Sequence, residues 1–143
     1  MKKLKGREAL DRTPKYTVKE VSHMMKISAH TIRYYDNEGL IPFVSRTESN
    51  IRLFSDYTLS WLKIVHYLRT TNLSISDIKK YVYLSLNGNK TIKQRAEIIF
   101  AQEKKLKEQL NELQCQIEIL RKRKKHYEDL LNNKSTYIWN PYD

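Results

Sequence analysis

Residues 16–42 read Y-T-V-K-E-V-S-H-M-M-K-I-S-A-H-T-I-R-Y-Y-D-N-E-G-L-I-P. The spacing predicts two short amphipathic helices joined by a tight turn. Thr17 and Glu20 form a T-x-x-E capping box, which satisfies orphan backbone N–H groups at the start of the first helix. Val18, Val21 and Met24 or Met25 then face inward at helical spacing. Ser28 caps the second helix, and Ile32 with Tyr35 supplies its apolar side. Gly39 suits the left-handed position that ends a helix, and Pro42 follows as a breaker. Ser28, His30, Thr31, Arg33 and Tyr34 thus gather on one helix. A helix-turn-helix offers such groups to a DNA major groove, with the helix N-terminus nearest the base edges. Arg33 supplies a planar fork of donors suited to phosphate or guanine, and Tyr34 a hydroxyl for phosphate.

Residues 43–54, F-V-S-R-T-E-S-N-I-R-L-F, place apolar clusters around a polar centre and predict a hairpin wing. Its turn lacks the glycine of a strong Asn-Gly signal, but Asn50 tolerates positive φ. Arg46 and Arg52 are candidate grips on flanking phosphates; the competing reading pairs Arg52 with Glu48. Ser55 caps a third helix with Leu59, Leu62, Val65 and Leu68 at helical spacing. Ser74 with Asp77 opens a fourth, carrying Ile78 and Val82. Asn87-Gly88-Asn89 stops it, and Thr91 with Gln94 is expected to cap a fifth.

The fifth helix carries the second strong pattern. Ile92, Ala96, Ile99, Leu106, Leu110, Leu113, Ile117, Leu120, Tyr127 and Leu131 fall on alternating steps of four and three, interrupted by Glu103 and Lys124. A helix from Thr91 to Leu131 is roughly 60 Å long at 1.5 Å per residue, and it cannot bury such a stripe alone. A dimeric coiled coil is expected, with Leu106, Leu110, Leu113, Ile117, Leu120, Tyr127 and Leu131 at its seam. The heptads leave strand polarity open.

Composition agrees with a helical, charge-rich chain: 143 residues, 40% hydrophobic, 30% charged, with a net charge of +11. That excess favours a polyanionic partner, nucleic acid before a membrane surface. No apolar run is long enough to span a bilayer, and the basic start M-K-K-L-K has no apolar segment after it. A cytoplasmic, nucleoid-associated protein is expected. The single cysteine, Cys115, allows no intrachain disulfide, and the histidines lack zinc spacing, so neither metal nor cofactor is expected. Cys115 falls at an outward heptad position between two glutamines, a candidate redox or electrophile sensor without a flanking cation. No glycine-rich phosphate loop or paired nucleophile and base points to an enzyme.

The order T-I-R-Y-Y-D-N-E-G-L-I-P (31–42), R-T-E-S-N-I-R-L-F (46–54) and L-S-I-S-D-I-K (73–79) resembles the MerR family of bacterial transcription regulators. The resemblance covers Tyr16 to about Val82. It implies a mainly α fold: a winged helix-turn-helix DNA-binding domain, then a long dimerisation helix forming an antiparallel coiled coil. It also implies a homodimer on a pseudo-palindromic promoter, DNA distortion that serves RNA polymerase, and DNA roles for Arg33, Tyr34, Arg46 and Arg52. Family wings usually read N-G-Y-R-x-Y; here Asn50, Ile51 and Phe54 replace the glycine and both tyrosines, removing two hydroxyls. The pattern is similar to small, non-metal members, with the effector unassigned.

The expected organisation is a flexible basic arm (1–15), the winged domain (16–87), the coiled-coil helix (90–132) and an aromatic tail (133–143) that contains Trp139. The competing functions are an excisionase-like DNA-bending accessory protein and a coiled-coil adaptor.

Overall fold

The computed structural model describes residues 9–132 and Lys134. Backbone contacts divide the chain between Ile99 and Phe100. The first unit, here the head, begins with strand β1 (Tyr16–Thr17), helix α1 (Val18–Met25) and helix α2 (Ala29–Asn37). Strands β2 (Ser45–Arg46) and β3 (Arg52–Phe54) follow, then α3 (Asp56–Thr70), α4 (Ile75–Leu86) and a 3-10 turn at Gly88–Thr91. Helix α5 (Ile92–Leu131) begins in the head and supplies the second unit.

The local signals explain where the helices start. Thr17 Oγ1 accepts from the Glu20 amide at 3.3 Å, while the Glu20 carboxylate accepts from the Thr17 amide at 2.7 Å. The Thr17 amide and hydroxyl hold the Glu20 carboxyl below the usual carboxylate range. The Ser28, Ser55 and Ser74 hydroxyls likewise accept from the amides three residues on, at the starts of α2, α3 and α4, and Ser55 with Thr58 completes a second reciprocal box. Helix α2 ends in a Schellman motif: Gly39, at φ 71°, donates to the Asp36 carbonyl and Leu40 to that of Tyr35. Lys26, at φ 55°, makes the left-handed turn between α1 and α2.

The fifth cap is a correction. Thr91 does not cap α5; its hydroxyl donates to the carbonyls of Leu84 at 2.5 Å and Gly88 at 2.9 Å. The 3-10 turn runs straight into α5, so the hydroxyl serves the carbonyl end of α4 instead.

A second difference concerns the wing. It is a three-stranded antiparallel sheet in the order β1-β3-β2, with Tyr16 opposite Phe54 and Arg46 opposite Arg52. The expected hairpin is present, with Asn50 at φ 60°, and β1 is an additional strand. The segment before β1 is fastened over Asp11–Lys15. The Lys15 amide donates to Phe54 O, and the Tyr57 amide to Asp11 O. Lys15 Nζ bridges Asp11 and Asp56 at 3.1 and 2.8 Å, and the Arg12 guanidinium lies 4.2 Å from the Tyr57 ring centre. Asp11–Lys15, within the expected arm (1–15), thus pack against the head; residues 1–8 lie outside those described, as does the tail apart from Lys134.

Val21, Ile32, Leu40, Phe54, Leu62, Val65 and Ile78 form the centre of the head core, all fully buried. Val18, Met25, Leu59 and Leu68 pack against it, as does Ile98 from the start of α5. Met24 is exposed, so Met25 is the inward methionine of α1. This core fixes α2 through Ile32 and Tyr35 and leaves its opposite face in solvent. In the second unit no residue of α5 is buried.

Candidate nucleic-acid interface

Burial of Ile32 and Tyr35 turns His30, Arg33 and Tyr34 outward. Among the described residues, neither His30 nor Arg33 has a hydrogen-bond or ion-pair partner, so their donors are unspent. Tyr34 is exposed beside Tyr35, with ring centres 6.1 Å apart. Burial pushes the Tyr35 phenol up, and its hydroxyl lies 3.3 Å from His66 Nδ1, which marks it as a packing residue. Ser28 and Thr31 are partly committed to the cap. Ser28 Oγ accepts from the Thr31 amide at 3.1 Å and donates to Thr31 Oγ1 at 2.8 Å. Their remaining lone pairs sit at the N-terminal end of α2.

The wing arginines behave differently from Arg33. Arg52 Nε donates to Asp36 Oδ2 at 2.5 Å, and its Nη2 donates to Asn37 Oδ1, also at 2.5 Å. Arg46 donates to the same Asp36 oxygen at 3.2 Å and to Asn50 Oδ1 at 3.1 Å. One carboxylate at the end of α2 therefore holds both cations of the wing. The partner of Arg52 is Asp36, and the pairing with Glu48 is not formed. Side-chain exposure separates the two: 39% for Arg46 against 16% for Arg52. Arg46 is thus open to solvent, whereas Arg52 is turned toward the helix.

The sequence reading passed over α1. Lys19 and His23 lie on its exposed face, followed by Lys26 in the turn, and with Tyr16 and Thr17 they line one open depression. Their spacing of four and three residues was the available signal.

On α5, Leu110, Leu113, Ile117, Leu120, Tyr127 and Leu131 are all exposed, and Leu106 is half-buried. Cys115 is a free, exposed thiol on the same helix. Among the described residues no cluster of His, Cys, Asp or Glu could hold a metal ion, and no helix is long and apolar enough to cross a membrane.

Comparison with known proteins agrees with this geometry. Residues 16–84 match the family described as MerR HTH family regulatory protein. An HTH-type transcriptional regulator of Haemophilus influenzae is 37% identical over 105 residues, covering 73% of this chain and 78% of the relative. The transcriptional regulator AdhR of Bacillus subtilis is 30% identical over 62% of this chain, which spans 64% of that relative's length. Among solved structures, HiNmlR, a MerR family regulator lacking the sensor domain and bound to promoter DNA, matches with a TM-score of 0.65. It is 34% identical, with 84% of this chain and 95% of that chain covered. A MerR family regulator from Listeria monocytogenes matches at TM-score 0.70 and 32% identity, over 84% and 91% of the two chains. With its capped helix-turn-helix, latched wing and long terminal helix, the chain belongs to the MerR family of DNA-binding transcriptional regulators.

Proposed function

We propose that two copies of this chain bind a pseudo-palindromic promoter and distort it to control initiation by RNA polymerase. The observation that carries this reading is the unspent pair His30 and Arg33 on α2, flanked by a wing whose Arg46 remains reachable. In this reading α2 enters the major groove, with Ser28, His30, Thr31, Arg33 and Tyr34 toward the duplex. Arg46 reaches flanking phosphate, and Lys19 and Lys26 add further phosphate contacts from α1 and its turn. Arg52 acts mainly by holding the wing. The domain comprises residues 16–87, and residues 90–132 join the copies through Leu106, Leu110, Leu113, Ile117, Leu120, Tyr127 and Leu131. Unburied apolar positions along α5 support that pairing. The solved promoter complex of a relative at 34% identity supports the DNA reading.

The family and relatives are regulators, and we assign this chain no catalytic activity, cofactor or metal. It acts in the cytoplasm, at the nucleoid. Cys115 is the one thiol through which an electrophile could be sensed.

The test is a mobility-shift titration on the DNA upstream of the gene, at several salt concentrations, with Arg33→Ala alongside. The variant is expected to lose about 1–3 kcal/mol of promoter binding. Equal affinity of the wild type for promoter and unrelated duplex would remove the sequence-specific reading, and unchanged binding by Arg33→Ala would remove the α2 assignment.

A further inference from the structure

Two charged residues stand where the heptads of α5 call for apolar ones. Both Glu103 and Lys124 occupy the position shared by Leu110 and Ile117 in the repeat. They are opposite in sign and symmetrically placed: Glu103 stands ten positions before Leu113, and Lys124 ten positions after Gln114. Between them lies the unbroken apolar run Leu106, Leu110, Leu113, Ile117 and Leu120. In the single chain each charge is compensated on its own helix, Glu103 by Lys107 at 2.7 Å and Lys124 by Glu128 at 3.5 Å. Their side chains are 60% and 73% exposed, so these are weak surface pairs that a stronger arrangement can absorb.

We infer that Glu103 and Lys124 set the polarity and register of the paired helices by meeting across the interface between two copies. This rests on the homodimer proposed above and goes beyond it in naming what orients the pair. A parallel, in-register pair would set Glu103 against Glu103 and Lys124 against Lys124, like charges at both sites. Antiparallel pairing centred on the apolar run reverses this. Each Glu103 then lies one layer from the other copy's Lys124, an axial step of roughly 5 Å, which both long side chains span. The twofold axis repeats the contact at the other end of the run. The in-helix partners extend each contact into an alternating row of Lys107, Glu103, Lys124 and Glu128, the last two from the opposite copy. The polar pair therefore disfavours the wrong orientation and also resists slippage, since a shift of one heptad moves Glu103 away from its partner. The occupant of the α5 stripe that fits this charge pattern is a second copy of the same chain.

The experiment is sedimentation equilibrium on the full chain, comparing wild type, Glu103→Lys, Lys124→Glu and the double exchange. Each single variant should weaken dimerisation by roughly tenfold or more, because it places like charges at both ends of the run. The double exchange should return the dissociation constant to within about threefold of wild type, as expected when two sites couple. Circular dichroism at matched concentration checks that helix content is retained. A parallel pair predicts no loss in the singles, since Glu103→Lys only exchanges facing glutamates for facing lysines. Unchanged singles, or a double no better than either single, would overturn the inference while leaving a wild-type dimer intact. A wild type that stays monomeric at high micromolar concentration would overturn the dimer reading and this inference with it.

Discussion

Phe54 and Leu113 are both large apolar residues, yet Phe54 is fully buried and Leu113 is 54% exposed. Phe54 belongs to a head whose core draws on every one of α1–α4 and on the wing, and α1–α4 all begin at a side-chain cap. Leu113 belongs to a helix of 40 residues with none buried. Apolar burial of about 25 cal/mol per Å² is realised within the head and left unrealised along the stripe. The head covers its apolar residues from within itself; the stripe leaves its own in solvent.

The sharpest way to break this contrast is to truncate one residue of each kind. Phe54→Ala should cost the head about 3–5 kcal/mol in chemical denaturation. Leu110→Ala should leave head stability within about 0.5 kcal/mol. The same Leu110 variant should weaken self-association by at least about 2 kcal/mol per dimer in sedimentation, because it uncovers a leucine twice. Equal effects of the two variants on head unfolding would erase the distinction. A smaller effect is expected at the latch. Asp36→Ala leaves Arg46 and Arg52 without their shared acceptor and should destabilise the head by about 1–3 kcal/mol, with a parallel fall in promoter affinity. Unfolding and mobility-shift curves that both match wild type would show that the latch does not order the wing.

The smallest effect is on the segment before β1. The Thr13 amide, the Thr13 hydroxyl and then Lys15 hold the Asp11 carboxyl down, from the usual 3.8 to about 2. A depressed carboxyl contributes stability above its unfolded value near 4 and loses it as pH falls toward 2. Asp56, lowered by Lys15 and then Tyr16, acts in the same sense. The Thr13 amide resonance should therefore shift with a midpoint near pH 2; a midpoint near 4 would mean the segment is loose in solution.

Much of the head was legible because its signals are local. Thr17, Ser28, Ser55 and Ser74 each announce a helix that starts at the next residue, and Gly39 announces a stop. The outward set on α2 followed from the inward pair Ile32 and Tyr35. What escaped depends on contacts distant in sequence. β1 is a two-residue strand with no period to detect, and it exists through pairing with β3. The latch joins Asp36 to residues ten and sixteen positions away, whereas the competing local reading offered only Glu48 as a partner. Thr91 carried a sound capping signal, but the chain reaches it already turning, so its hydroxyl was free for α4. Lys19, His23 and Lys26, by contrast, share one face at a spacing of four and three residues, a pattern the sequence does carry.

The unpartnered state of His30 and Arg33 has an evolutionary consequence. Neither side chain contributes a bond within the molecule, while the latch at Asp36 and the anchor at Ile32 lie elsewhere on the same helix. Exchanging the two outward residues costs the scaffold little, as is usual for solvent-facing positions away from caps and cores. Where these two side chains read the operator, as proposed above, duplicated copies of such a gene gain new operator addresses through a few codon changes, with the fold of the head carried along unchanged.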